Sequence, residues 1–162
     1  MTPEKPGPGQ ESVWDYPRPP RLEPSRETIE IRLGGQLIAR TSTSYRLLET
    51  SHPPTYYVHR SEFADDVLRP VDHTTFCEWK GEAAYFDVVT PGRTAARGAW
   101  TYPTPTGGYD ALTDHVAVMP GAMDECTVDG EVVTPQEGGF YGGWITSRVV
   151  GPFKGRPGSW GW

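Results

Sequence analysis

Prolines and glycines interrupt this chain so often that a fold built on long helices is excluded. The 162 residues include 17 prolines and 19 glycines, which is roughly twice the usual share of these two residue types. Proline breaks the interior of a helix, and glycine favours turns. Aromatic residues make up 12% of the chain, which is more than a disordered protein carries. The sequence therefore predicts one turn-rich, mostly β domain.

The clearest strand pattern lies in residues 28–41. Three aliphatic residues alternate there with polar ones, which is the period-2 pattern of a half-buried strand. The Gly34-Gly35 pair follows, and glycines adopt the positive φ angles of a two-residue hairpin turn without strain. A second hairpin signal, of the Asp-Gly type, stands at residues 129–130. Two antiparallel hairpins are therefore predicted.

About nine short strands, with turn signals between them, predict a small two-sheet sandwich or a partly open barrel. One short helix is predicted after Ser61, a residue suited to cap it, and Pro70 would end that helix. Composition divides the chain into a Pro-rich irregular arm (1–26), a single β-rich domain (27–137) and an ordered tail rich in glycine and tryptophan (138–162).

The charge balance argues against nucleic acid as a partner, because the net charge is −6 and phosphate binding needs a basic face. No apolar run approaches the ~18 residues of a membrane helix, and the first thirty residues lack the apolar core of a signal peptide. We therefore expect a cytoplasmic protein with no membrane partner. Cys77 and Cys126 form no Cys-x-x-Cys pair, which is the strongest sequence sign of a structural zinc site. We therefore expect no cofactor. A zinc ion held by distant histidines and Cys77 is a weaker alternative.

The segment 77–82 contains the first group of candidate site residues. Lys80 precedes Gly81, and glycine lets a ligand approach the backbone closely. A cysteine beside a lysine favours its thiolate form, so Cys77 is a candidate nucleophile, and Glu82 is a candidate general base. The alternative is that the cysteine is buried and the rest forms an ordinary polar turn.

The second group lies in residues 49–60, where Glu49, His52, Tyr56 and Arg60 offer a carboxylate, an imidazole, a phenol and a guanidinium. On a strand, Tyr56 and Arg60 share one face. Arginine recognises carboxylate or phosphate through paired donors, so these four residues are predicted to bind ligand. The alternative places the tyrosine at the rim of the core and pairs Arg60 with Glu62.

Aromatic residues flank both groups. Trp79 lies inside the first group, and Trp100 and Tyr102 share a strand face. Two interpretations stay open at this point: these side chains fill the core of a small barrel, or they line an apolar pocket with polar groups at its mouth.

Three strings in this order resemble one known family: LLETSHPPTYYVHR (47–60), TTFCEWKGEAAYF (74–86) and GAWTYPTP (98–105). The chain is similar, over roughly residues 27–134, to the bacterial domain-of-unknown-function family 427, a family that is sometimes given a nucleotidyltransferase-like label. The resemblance implies a small, mostly β fold of the tent-like kind. It implies no activity, and this chain has neither the Asp-x-Asp pair nor the phosphate-binding loop of such transferases.

Together these observations predict a cleft that binds a small anionic or aromatic metabolite. In this hypothesis the segments 49–60 and 77–82 converge, Arg60 and Lys80 hold the negative group, and Cys77 or Glu82 acts if catalysis occurs. The alternative is a structural or protein-interaction module that forms a homodimer through its aromatic tail, because tryptophan and tyrosine are enriched at interfaces.

Overall fold

Fifteen short strands carry most of the regular structure in the computed structural model, which describes residues 1–162. The strands are β1 (Glu11–Ser12), β2 (Arg21–Pro24), β3 (Ile29–Leu33), β4 (Gln36–Thr41), β5 (Tyr45–Leu48), β6 (Thr55–His59), β7 (Leu68–Cys77), β8 (Gly81–Val89), β9 (Thr94–Thr101), β10 (His115–Val118), β11 (Glu125–Val128), β12 (Glu131–Val132), β13 (Thr134–Pro135), β14 (Trp144–Ile145) and β15 (Val149–Val150). The helical segments are four 3-10 turns: Val13–Asp15, Arg60–Glu62, Asp110–Leu112 and Pro120–Ala122. None of them is long and apolar enough to cross a membrane.

Two antiparallel sheets form the body of the molecule, as the mostly β, two-sheet prediction requires. The large sheet has seven strands in the order β2-β5-β6-β10-β9-β8-β7, and the small sheet has four in the order β12-β11-β3-β4. Strands β13 and β14 pair with each other, and β1 pairs in parallel with β15. The sheets do not close into a barrel, so the fold is a small sandwich.

Both hairpins are confirmed. Strands β3 and β4 pair across Gly34 and Gly35, whose φ angles are +60° and +78°. Strands β11 and β12 pair across Asp129 and Gly130, with φ angles of +48° and +82°. Positive φ at both central residues gives a turn whose twist matches that of the flanking strands.

The main core lies between the two sheets. Ile29, Ile31 and Leu33 of the small sheet are at most 1% exposed, and they belong to one cluster with Val58 and Val116 of the large sheet. Each such aliphatic side chain contributes about 1.5–3 kcal/mol on burial. A second, smaller cluster includes Leu47, Tyr57, Ala83 and Tyr102. Because side chains alternate along a strand, the large sheet is packed on both faces.

The segment after Ser61, predicted as a short helix, forms a single 3-10 turn over Arg60–Glu62 instead. The ring of His59 accepts a hydrogen bond from the Ser61 backbone N–H and caps this turn. The chain then extends: Phe63 makes a β-bridge with Ala39. A helix would not place this stretch along the small sheet, and the extended path buries Phe63.

The arm and the tail carry strands of their own. Strand β2 begins inside the segment predicted as irregular and forms one edge of the large sheet. An edge strand tolerates Pro24, because only one side of the strand needs hydrogen bonds. In the tail, Trp144 is 1% exposed and joins the main core, where its ring packs against Tyr56 at 5.0 Å.

A buried cation connects the arm to the large sheet. Arg46 on β5 is 1% exposed; it donates two hydrogen bonds to Glu11 (3.0 and 3.2 Å) and also pairs with Glu23. Burial alone would raise the pKa of Glu11, but hydrogen bonds from Arg46 and Tyr16 outweigh it and lower the pKa to about 2. Glu11 therefore stays ionised opposite the guanidinium.

Candidate functional site

A cavity of about 750 Å³ lies on the face of the large sheet that carries the second, smaller cluster. Its volume falls within the range of small-molecule sites. Side chains from β6, β7, β8 and β9 form its walls, and residues 139–142 of the tail cover part of it. The tail therefore contributes to this site as well as to the core.

Seven of the ten predicted site residues line this cavity. They are Glu49, His52, Cys77, Trp79, Lys80, Trp100 and Tyr102. The structure thus brings together side chains from the two segments that we expected to converge.

The other three predicted residues lie outside the cavity. Tyr56 points into the main core and donates a hydrogen bond to Glu27 at 2.8 Å. Arg60 is exposed, and its guanidinium stands 4.9 Å from the ring centroid of Phe86. Glu82 is exposed on β8. In each case strand alternation or turn geometry directs the side chain to another surface.

Lys80 occupies the three-residue loop between β7 and β8. Cys77 pairs with Gly81 across this loop, and Gly81 has a φ of +105° that disfavours any larger residue. The Lys80 carbonyl accepts a hydrogen bond from Thr106 at 2.9 Å, which fixes the loop against the chain beyond β9. The loop therefore holds Lys80 in a defined position at the cavity wall.

The ammonium of Lys80 pairs with no carboxylate in this structure. It lies 5.2 Å from the ring centroid of Tyr102. The side chain is half-buried at the cavity wall. Burial alone would lower the pKa of Lys80, but the neighbouring Tyr57 and Tyr102 hydroxyls and the Cys77 thiol outweigh burial and raise it. Lys80 is therefore a cation at neutral pH.

Phenol and indole groups form the wall around this cation. Trp100 Nε1 donates to the Tyr57 hydroxyl at 3.3 Å, and the two rings meet edge to face at 6.5 Å. The Tyr57 hydroxyl accepts that bond, so its O–H group can still donate to another partner. Burial raises the pKa of Tyr102, so the phenol of Tyr102 stays protonated at neutral pH.

His52 lies at the other side of the cavity, between Glu49 and the tail. Its Nε2 is 3.7 Å from Glu49 Oε2, and its Nδ1 is 3.0 Å from Gln136 Nε2. Burial, together with the positive charges of Lys154 and Arg18, lowers the pKa of His52 to about 4. The imidazole is therefore neutral at pH 7.

Several cavity residues are not among the ten predicted site residues. Strand alternation places Tyr57 on the face opposite its neighbour Tyr56, and only the fold shows which face borders the cavity. Gln136 lies just before the tail and Tyr141 lies within it, and the sequence carries no strand pattern near either residue. Their contact with His52 joins positions more than eighty residues apart, and no local pattern encodes such a contact.

Cys77 is a free, half-buried thiol at the end of β7, and Cys126 is free and buried in the main core. No group of three or more His, Cys, Asp and Glu side chains is arranged to hold a metal ion. Glu49 is 3.6 Å from the Arg18 guanidinium of the arm. The cavity thus offers hydrogen-bond donors, flat aromatic surfaces, the carboxylates of Glu49 and Glu78, and two cations, Lys80 and Arg97, that pair with no carboxylate.

A search among curated proteins finds no match. A family model, labelled NTP_transf_9 and described as a domain of unknown function (DUF427), matches residues 21–129. The match covers about two-thirds of the chain and includes the loop of Lys80 and the strands of Tyr57 and Trp100. The chain belongs to the DUF427 family.

Proposed function

We propose that this protein binds a small organic anion with a flat, apolar body in the cavity around Lys80. The observation that carries the proposal is the ammonium of Lys80, which stands without a carboxylate partner in a wall of aromatic side chains. A charge that is partly withdrawn from water is stabilised by a compensating partner. The anionic group of a ligand supplies that partner.

The rest of the cavity supports the same class of ligand. Trp79 and Trp100 offer flat surfaces for an aromatic or conjugated body, since aromatic groups stack favourably. The Tyr57 and Tyr102 hydroxyls offer donors to oxygen atoms of the ligand. Cys77 is the thiol of the cavity wall and would be the residue to react if the ligand is an electrophile.

A thermal-shift screen against carboxylates and phosphates with aromatic bodies tests this proposal. A ligand at about 100 times its Kd stabilises the protein by roughly 2.7 kcal/mol, which raises the Tm of a domain of this size by several degrees. For a hit, Lys80→Met should weaken binding by about 10- to 100-fold, the effect of one charged hydrogen bond.

Lys5→Met is the matched control, because Lys5 is exposed in the arm and does not line the cavity. It should leave the Kd unchanged. The proposal fails if no anion shifts the Tm of the folded protein, or if Lys80→Met binds every hit as tightly as the control does.

The alternative function, an interaction module, is favoured by two exposed aromatic side chains of the tail. Phe140 and Trp160 are each 95% exposed, and large apolar side chains of this kind are common in interfaces. Light scattering at high protein concentration tests self-association. A dimer that Phe140→Ser or Trp160→Ser converts to a monomer supports this function, and a monomer throughout refutes self-association.

A further inference from the structure

The side-chain amide of Gln136 is held in one orientation. Gln136 is 6% exposed; its Oε1 accepts a hydrogen bond from the Gly143 backbone N–H at 3.1 Å, and its Nε2 donates to the Lys154 carbonyl at 2.8 Å. A backbone N–H can only donate, and a carbonyl oxygen can only accept. The positions of oxygen and nitrogen in this amide are therefore determined by its partners.

This orientation decides which nitrogen of His52 carries the proton. The Gln136 amide nitrogen also lies 3.0 Å from His52 Nδ1, and an amide nitrogen donates but does not accept. His52 Nδ1 must therefore be the acceptor, and the neutral ring carries its proton on Nε2.

We infer that Gln136 is a positioning residue that holds His52 in the Nε2–H tautomer, so that His52 presents a hydrogen-bond donor to the ligand of the cavity. The statement about the ligand rests on the proposed function, whereas the tautomer does not. The ligand group that meets His52 is then an acceptor, such as a carboxylate, phosphate or carbonyl oxygen.

The groups that face His52 agree with this assignment. Glu49 Oε2 stands 3.7 Å from Nε2, and the ring of Tyr141 packs on the imidazole at a centroid distance of 5.3 Å. Lys154, Arg18 and Lys80 place positive charge nearby and disfavour a second proton on the ring. His52 is therefore not a general base at neutral pH, because its unprotonated nitrogen is already occupied by Gln136.

Long-range ¹H–¹⁵N correlation spectra of the full chain at pH 7 read the tautomer directly, without any ligand. The His52 signals are assigned by comparison with His52→Asn. The wild-type protein should show an unprotonated Nδ1 and a protonated Nε2. In Gln136→Glu the donor becomes an acceptor, so Nδ1 should gain a proton and the Nε2–H form should lose its preference by at least about tenfold.

Gln10→Glu is the matched control. The amide of Gln10 likewise accepts from a glycine N–H, that of Gly7 at 2.9 Å, and donates to a carbonyl, that of Ser147 at 2.9 Å, but it contacts no histidine. This variant should leave the His52 signals unchanged.

A protonated Nδ1 in the wild-type spectrum overturns the inference, even if Gln136→Glu fails to fold. An unchanged tautomer in a folded Gln136→Glu protein overturns it as well. Because the spectra need no ligand, failure of the thermal-shift screen would remove the proposed function and leave the tautomer standing.

Discussion

Arg46 on strand β5 and Lys80 in the loop between β7 and β8 are two cations of the large-sheet region that differ in their partners. Arg46 meets the carboxylates of Glu11 and Glu23 and is 1% exposed. Lys80 meets a phenol ring and no carboxylate. Removing one member of a buried ion pair is strongly destabilising, because the partner charge is left uncompensated. The difference separates a charge that holds the fold from a charge to which we assign a ligand in the proposed function.

The largest expected effect is the difference in stability between the variants that lack Arg46 and Lys80. Arg46→Met removes the buried cation that Glu11 and Glu23 share and leaves them only the more exposed Arg148 and Arg21. We expect it to lower the free energy of unfolding by about 3–5 kcal/mol. Lys80→Met removes a charge that has no partner, so the ligand-free protein should change by less than about 1 kcal/mol. Urea denaturation of both variants measures the two values.

Arg40→Met is the control for this pair, because Arg40 is exposed and forms a surface ion pair with Glu30 at 3.5 Å. Exposed pairs contribute about 0–1 kcal/mol. Equal losses for Arg46→Met and Lys80→Met would contradict the division into a structural and a ligand-binding cation.

The contributions of His52 in the cavity and of Glu11 beside Arg46 to stability should be lost at different pH values. The folded-state pKa of His52 is lowered from 6.5 to about 4, so its contribution is complete above pH 6.5 and is lost as the pH falls toward 4. That loss amounts to about 3 kcal/mol. The pKa of Glu11 is lowered from 4.5 to about 2, so its contribution persists above pH 4.5 and is lost between 4.5 and 2.

Melting temperatures recorded from pH 7 to pH 3 follow both steps. His52→Asn should reduce the dependence of Tm on pH between pH 6.5 and 4. A residual dependence is expected, because burial also lowers the pKa of His115. Glu11→Gln should reduce the slope below pH 4.5 only. A slope between pH 6.5 and 4 that His52→Asn leaves intact would contradict the assignment.

The smallest expected effect concerns the tail where it covers the cavity. A Cβ on Gly142 would overlap the indole of Trp100, whereas a Cβ on the nearby Gly139 would meet nothing within 4 Å. Gly142→Ala should therefore lower the free energy of unfolding by about 1–3 kcal/mol, and Gly139→Ala should change it little. Tryptophan fluorescence during urea unfolding measures both, and equal stability of the two variants would show that the tail does not rest on Trp100.

The parts of the structure that depend on neighbouring residues could be predicted from the sequence. The Gly34-Gly35 and Asp129-Gly130 turns follow from backbone conformations that few residue types adopt. The alternation of Tyr56 and Tyr57 also follows from strand geometry. Which of these two tyrosines faces the cavity depends on where the small sheet packs, and the sequence of β6 does not contain that information.

In the candidate site, too, the residues with local sequence signals could be predicted, and those with only distant contacts could not. Lys80 and Trp79 were found because they stand in one short loop beside a glycine. Gln136 was missed because its role comes from contacts with Lys154 and with His52, which are distant in the chain. Glu82 was included because it is near Lys80 in sequence, but on β8 it is exposed outside the cavity.

The two packed faces of the large sheet have a consequence for how this protein can evolve. Along β6, Tyr56 and Val58 serve the main core, while Thr55 and Tyr57 line the cavity. A substitution at a cavity position can therefore alter the shape and chemistry of the cavity without changing the residues that hold the two sheets together. Selection can change the cavity through every second residue of a strand while the fold is inherited unchanged through the others.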